Sequence, residues 1–241
     1  MNKGKLQGGA ADDNAIEFIS RVAHDLRSPM TSIVGFIDGI LDGAISEEDV
    51  PKYLRIVKDE CMRLSGLVEQ MLELARLDSG RADIELAPFD ICERARKALL
   101  TFERRIEEKE LAVSFRSDGH NMLALGDHAA IHRVLYNLID NAVKYARHGG
   151  ELTIKIEKSG ENIRVAVFNE GEGIPPSEIG HIFDMYYQAD REKNRGKVSA
   201  GIGLNLCKLI IDAHGGNIAA ESKYGESCEI SFTLKAASKE K

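Results

Sequence analysis

In the stretch FISRVAHDLRSPMTSI a histidine and an aspartate stand side by side, with a proline five residues after the histidine. His24 offers an imidazole that is neutral and available near pH 7. Arg27, three residues on, shares the histidine's helical face and could steady an incoming anion, while Ser28, four residues on, keeps a hydroxyl there. Pro29 removes the hydrogen bond to the Asp25 carbonyl and is expected to bend the helix one turn below the histidine. A second group lies in HRVLYNLIDNAVKYA, where Asn137, Asn141 and Lys144 share the face opposite an apolar stripe of Val134, Leu135, Leu138, Ala142 and Val143. Amide oxygens suit Mg2+ and phosphate-bound water, and Lys144 adds a cation. In FNEGEGIPP, Gly171 and Gly173 precede Ile174 in a turn whose missing side chains would let backbone approach a flat ligand. In GIGLNL, Gly201, Ile202 and Gly203 lead into a helix expected from Leu204, whose first N–H groups suit phosphate oxygens. The basic, apolar-poor run before it could close as a lid. Taken singly, each feature also fits a bland reading: a surface histidine, a solvated helix face, a common turn.

The elements that must carry these groups follow from periodicity. Ile16, Ile19, Ala23, Leu26, Met30, Ile33, Ile37 and Ile40 keep steps of three and four, the 3.5-residue period of a coiled coil, and Leu54, Val57, Cys61, Leu64, Val68, Met71 and Ala75 repeat it after DGAISEEDVP. Two amphipathic helices and a short loop make a helical hairpin. Such a hairpin has little interior, so a second copy completing a four-helix bundle is expected, that is, a homodimer. His24 is one residue past the seam position Ala23, which turns it toward solvent. From APFD onward the heptads stop, and helical periods alternate with strand-like runs ELAVSF, ELTIKIE, NIRVAVFN, GNIAAES and CEISFTL. The expected fold class is α+β: an N-terminal helical hairpin forming a dimeric four-helix bundle, then an α/β sandwich with helices on one face of a mixed sheet. The expected boundaries are a tail over 1–13, a hairpin over 14–80, a linker over 81–88, an α/β domain over 89–236 and a tail over 237–241.

Composition narrows the function classes. A net charge of -7 argues against nucleic acid or anionic membrane as a partner, and 43% hydrophobic residues suffice for a core. Cys61, Cys92, Cys207 and Cys228 stand far apart, with neither metal-ligand nor disulfide-framework spacing, and are expected to be reduced and mostly buried in an intracellular chain. The opening MNKGKLQGGAADDN has no apolar core, so neither a signal peptide nor an anchor is expected, and no run reaches membrane-spanning length. The expected location is cytoplasmic, and the segment could be the cytoplasmic portion of a membrane sensor.

Taken in order, the motifs resemble the sensor histidine kinases of two-component signalling over nearly the whole chain after the tail. FISRVAHDLRSPMTSI is similar to the phosphoacceptor box, NLIDNAVKY to the asparagine box, NEGEGIP and GIGLNL to the two glycine boxes, IFDMYYQAD, with Phe183 and Gln188, to the phenylalanine box, and HGGNIAAES to the strand entry after it. The resemblance implies an ATP-binding domain of the gyrase and mismatch-repair type. It implies ATP-dependent phosphorylation of His24 in line with the leaving group, transfer to an aspartate on a response-regulator receiver domain, and Mg2+ as cofactor. It also implies Asn141 as the Mg2+ ligand, Asn137 and Lys144 as phosphate contacts, Tyr145 near ribose or adenine, and Asp25 as general base. Adjacent helical residues do not share a face, so Asp25 would have to reach around to the imidazole.

The pattern is departed from at Asn169, where the family usually carries an aspartate that accepts from adenine's amino group. An amide exchanges a bond of about 1.5 to 3 kcal/mol for one nearer 0.5 to 1.5 kcal/mol, which implies modest affinity and relaxed discrimination against GTP. Ser28 replaces the threonine or asparagine that orients water for regulator dephosphorylation, so phosphatase activity stays open. Asn205 and Ser227 replace glycines. Two other readings remain: a dimeric scaffold or pseudokinase without phosphotransfer, against which His24, Asn141 and Lys144 speak, and a gyrase-type ATPase acting on DNA, which conflicts with the negative charge.

Overall fold

The computed structural model describes residues 7–78, 84–119, 122–184, 187 and 202–237, with side chains from Ser20 onward except at 21, 22, 24, 25, 70, 73, 77 and 78. The chain divides into two compact units, one that runs to Ala75 and also takes in Ile202, and an α/β one from Arg76 to Tyr187 and from Gly203 onward.

In the first unit, α1 (Gln7–Leu41) and α2 (Val50–Asp78) are joined by a short turn. The helix α1 therefore starts within the stretch expected to be a tail, 1–13. Gly43 takes a φ of 68°, a left-handed value that glycine adopts without strain, and Ile45 N donates back to Gly39 O at 3.0 Å. Ser46 Oγ donates to Asp49 Oδ2 at 2.9 Å before α2 begins. Across the hairpin the rings of Phe36 and Tyr53 lie 5.2 Å apart. Ile33 and Ile40 are half-buried, whereas Met30, Val34, Ile37 and Leu41 on α1, and Leu54, Met62, Val68 and Leu72 on α2, stay exposed. The uncovered stripe of α1 thus runs 30, 34, 37, 41, one residue off the expected seam at two positions. The apolar arc is broad enough for one edge to pack inside the hairpin and the other to remain open. Pro29 lies inside α1 and is buried.

The second unit opens with β1 (Ala87–Asp90), α3 (Ile91–Leu100), α4 (Glu103–Glu108), β2 (Ala112–Ser117), β3 (Leu123–Gly126) and α5 (His128–Tyr145). It continues with β4 (Glu151–Ser159), β5 (Asn162–Glu170), α6 (Gly203–Ala213), β6 (Ile218–Lys223) and β7 (Ser227–Lys235). The first strand begins inside the segment expected as a linker, 81–88. Five strands form one sheet in the order β2-β4-β5-β7-β6, parallel only between β2 and β4, while β1 and β3 pair separately as a two-stranded antiparallel sheet. The sheet is mixed, as expected.

Alternation decides its two faces. Ile163, Val165, Val167 and Asn169 of β5, with Cys228, Ile230, Phe232 and Leu234 of β7, are buried. Each buried Ile, Leu or Phe contributes about 1.5 to 3 kcal/mol. On the opposite face Arg164 donates to Glu229 at 2.6 Å. The buried residues of α5 and α6 join the inner face in a single core, so helices cover one side only.

Helix α5 is fastened at both ends. Asp127 accepts from Ala129 N at 2.8 Å and Ala130 N at 3.1 Å, satisfying first-turn donors that have no intrahelical partner. At the far end Lys109 Nζ donates to the carbonyls of Val143, Lys144 and Ala146 at 2.8, 2.9 and 3.0 Å. Buried His214 joins α6 to the start of α5, with Nε2 accepting from Asp127 N at 2.9 Å and Nδ1 lying 2.7 Å from Ile210 O.

Candidate functional site

The α5 face opposite the core carries Asn137, Asn141, Lys144 and Tyr145, all half-buried. Helix α6 opens against this face: a Cβ on Gly203 would stand 3.9 Å from Asn137 Oδ1. The helix begins at Gly203 itself, one residue before the expected start, and its first N–H groups form the anion-seeking end of a three-turn helix. Buried Ile202 precedes it, and Leu204 is half-buried. Lys144 Nζ sits 4.8 Å from the Tyr145 ring centroid, placing a cation beside an aromatic face.

The end of β5 closes onto the same end of α5. Gly171 bridges Ala146, and Arg147 N donates to Glu170 O at 3.0 Å. A Cβ on Gly171 would come within 2.1 Å of Tyr145 O, and one on Gly173, whose φ is +61°, within 2.4 Å of Lys223 O. Both glycines thus have a reason to lack side chains that differs from the expected one: they admit neighbouring protein backbone. Ile174 N donates to Ser222 Oγ at 2.8 Å, which ties the turn to β6.

Strand register then sets a row across the inner face, Leu152, Asn169, Cys228 and Ser222, each opposite the next. Asn169 is 4% exposed, and its Nδ2 is buried with no hydrogen-bond partner. Such an orphan donor costs about 1 to 3 kcal/mol unless something fills the space before it. Burial pushes the Cys228 thiol up to about 11, which keeps it neutral. Phe183 is half-buried, and its carbonyl accepts from Asn205 Nδ2 at 3.0 Å, while Asn205 Oδ1 is a second orphan. Cys228 and Ser222 are site neighbours that motif spacing did not single out. Their signal was the strand pairing, which no local pattern carries.

Gln188 and Gly201 lie outside the described residues. So do the side chains of His24 and Asp25, whose backbone is helical within α1, and with them the expectation that the His24 ring faces solvent. Arg27 and Ser28 are exposed on the same helix, and Thr31 Oγ1 donates to Arg27 O at 2.9 Å, a hydroxyl bond one turn back.

The residues present fit a nucleoside triphosphate. A helix N-terminus faces the amides of α5 for phosphate, and the buried amide of Asn169 awaits a partner. Among the described residues no three His, Cys, Asp or Glu converge into a metal cage, so Mg2+ would take few protein ligands and keep phosphate and water oxygens.

Two family models match the chain: the His Kinase A (phospho-acceptor) domain over residues 15–80 and the histidine kinase-, DNA gyrase B- and HSP90-like ATPase over 126–238. The chain is 31% identical to sensor protein SrrB of Staphylococcus aureus over 91% of its length, and 31% identical to sensor histidine kinase WalK of Bacillus subtilis over 92%. It spans 37% of the length of each of these curated relatives. Among solved structures, it is similar to Acinetobacter baumannii histidine kinase AdeS, with 26% identity and a TM-score of 0.70 over 89% of this chain and 98% of that one. It is also similar to histidine kinase ThkA in complex with response regulator protein TrrA, with 27% identity and a TM-score of 0.70 over 98% of this chain and 66% of that one.

Proposed function

The chain belongs to the sensor histidine kinases of two-component signalling, and from that membership we propose that it is an ATP-dependent protein-histidine kinase core whose phosphoacceptor is His24. An imidazole nitrogen of His24 attacks the γ-phosphorus of ATP. The N–P bond forms as the bond to the β–γ bridging oxygen breaks, ADP departs, and Asp25 takes the ring proton. Arg27 steadies charge on the transferring group. The phosphoryl group then passes to an aspartate of a response-regulator receiver domain, a partner class supported by the ThkA complex with TrrA.

The observation that carries this reading is the opposition of Asn137 on α5 to Gly203 at the head of α6, which sets helix N–H groups beside a polar amide face. Phosphate contacts fall to Asn137, Lys144 and the first N–H groups of α6. Asn169 meets the base at the end of β5, and Tyr145 lies near ribose or base. Gly171, Gly173 and Ile174 shape the turn beside the base, with Leu204 and Phe183 completing the described surround. Asn141 would hold Mg2+, which would supply positive charge against the phosphates. The exposed stripe of Met30, Val34, Ile37 and Leu41 supports a homodimer through the hairpin. Among the described residues no helix is long and apolar enough to cross a membrane.

The test is incubation with γ-labelled ATP and Mg2+, then addition of a receiver domain. Label that is acid-labile and alkali-stable, absent from His24→Ala and moved by the receiver is the expected result. A labelled His24→Ala protein would overturn the assignment.

A further inference from the structure

Among the described residues, the inner row at the base end of the site carries no charge. Glu170, next to Asn169 in sequence, turns to the other face, where its Oε2 accepts from Arg147 Nη2 at 2.8 Å and Glu151 N at 3.1 Å. Glu229, next to Cys228, is engaged with Arg164. What remains on the inner row is an apolar Leu152, a neutral thiol at Cys228, and the Asn169 amide between them. The Ser222 hydroxyl beyond is occupied, donating to Ser227 O at 2.6 Å and accepting from Ile174 N. Nothing among the described neighbours pins the amide: its Nδ2 is buried and unpartnered.

An amide held by a neighbour presents one fixed pattern to a ligand. An unheld amide can turn half a revolution about its terminal bond and exchange oxygen for NH2 at almost no cost, because the torsion is two-fold and no bond is broken in turning. Position six of a purine is where such an exchange matters. Adenine has an amino donor there, which needs the oxygen; hypoxanthine and guanine have an oxo acceptor, which needs the NH2. A carboxylate could serve only the first and would repel the second.

We propose that Asn169 makes this site a dual reader of purine triphosphates, binding 6-oxo bases (ITP, GTP) alongside the 6-amino base of ATP. The inference rests on the nucleotide reading above and extends it from ATP to a substrate class. ITP is the clean probe, since guanine also adds an amino group at position two.

The experiment is displacement of a fluorescent nucleotide from the whole chain by ATP, ITP and GTP with Mg2+, for the original protein, Asn169→Asp and Asn169→Ala. The original protein is expected to bind ATP and ITP within about tenfold of each other, and Asn169→Asp to retain ATP while shifting the ATP/ITP ratio about tenfold or more toward ATP. Asn169→Ala, lacking donor and acceptor, is expected to weaken both alike, which keeps the idea testable should the aspartate variant fail to fold. Rejection of ITP by more than about a hundredfold in the original protein, or a ratio unmoved in Asn169→Asp, overturns the proposal while leaving ATP binding in place. Absence of binding by every purine nucleotide overturns the nucleotide reading and this inference with it.

Discussion

Lys109→Met removes one ammonium group and little volume, which makes it a sharp test of how α5 is held. In the structure that ammonium donates to three carbonyls at the last turn of α5, at 2.8, 2.9 and 3.0 Å, and nothing in the helix can replace it, since terminal carbonyls have no intrahelical donor. A hydrogen bond from a charged donor is worth about 1.5 to 3 kcal/mol net, and a cation at a helix C-terminus adds about 0.3 to 1 kcal/mol. The three bonds share one donor and are not additive, and the half-buried carbonyls regain some water. A loss of about 3 kcal/mol is therefore expected, with a melting temperature lower by roughly 9 °C for a unit of this size. The loss should reach the site as well, because the same turn carries Lys144 and Tyr145 and bridges through Ala146 to Gly171. Calorimetry of the whole chain, with nucleotide titration alongside, is the assay. A melting temperature within about 1 °C of the original would refute the reasoning, showing that those carbonyls are as well served by water.

Gly171→Ala must push a Cβ against Tyr145 O, where backbone on both sides resists, so a destabilisation of about 3 kcal/mol is expected in urea; under about 1 kcal/mol would mean the strand end is looser than drawn. Asp127→Ala deletes the N-cap of α5 and should cost about 1 kcal/mol by the same assay, with Asp127→Asn recovering most of it. For His132, burial, then the charges of Arg94 and Lys97, hold the ring below its ordinary 6.5, and its Nδ1 is buried without a partner. The unfolded chain binds that proton more readily, so stability is full above the ordinary value and falls as pH drops through it toward the lowered one. Urea unfolding at a series of pH values should show that slope in the original protein and a shallower one in His132→Gln; equal slopes would remove His132 from the account.

Much of this architecture can be read from residue order, and the parts that cannot have a common cause. The stripe of α5 and the alternation of β4, β5 and β7 are local, and each reads correctly because one face of each element is buried, whereas the uncovered stripe of α1 runs one residue off the expected seam at two positions. The alternation of Ile163, Val165, Val167 and Asn169 even points the amide inward. By contrast β1 and β3 are four residues each, too short for a period to declare itself, and exist because they pair with one another. The role of Lys109 depends on carbonyls more than thirty residues away. Gly171 and Gly173 were recognisable as special, yet the reason, contact with Tyr145 and Lys223, needed the tertiary structure. The row of Asn169, Cys228 and Ser222 likewise exists only once three strands are in register.

The central claim is that His24 carries the phosphoryl group. Its most direct test is mass spectrometry at alkaline pH of the whole chain after incubation with ATP and Mg2+, followed by mapping of the peptide that holds Val22 to Arg27. The account expects one added phosphoryl group on that peptide, located at His24 and lost on acidification. ATP turnover with an unmodified His24, or a phosphoryl group residing on any other side chain, would contradict it.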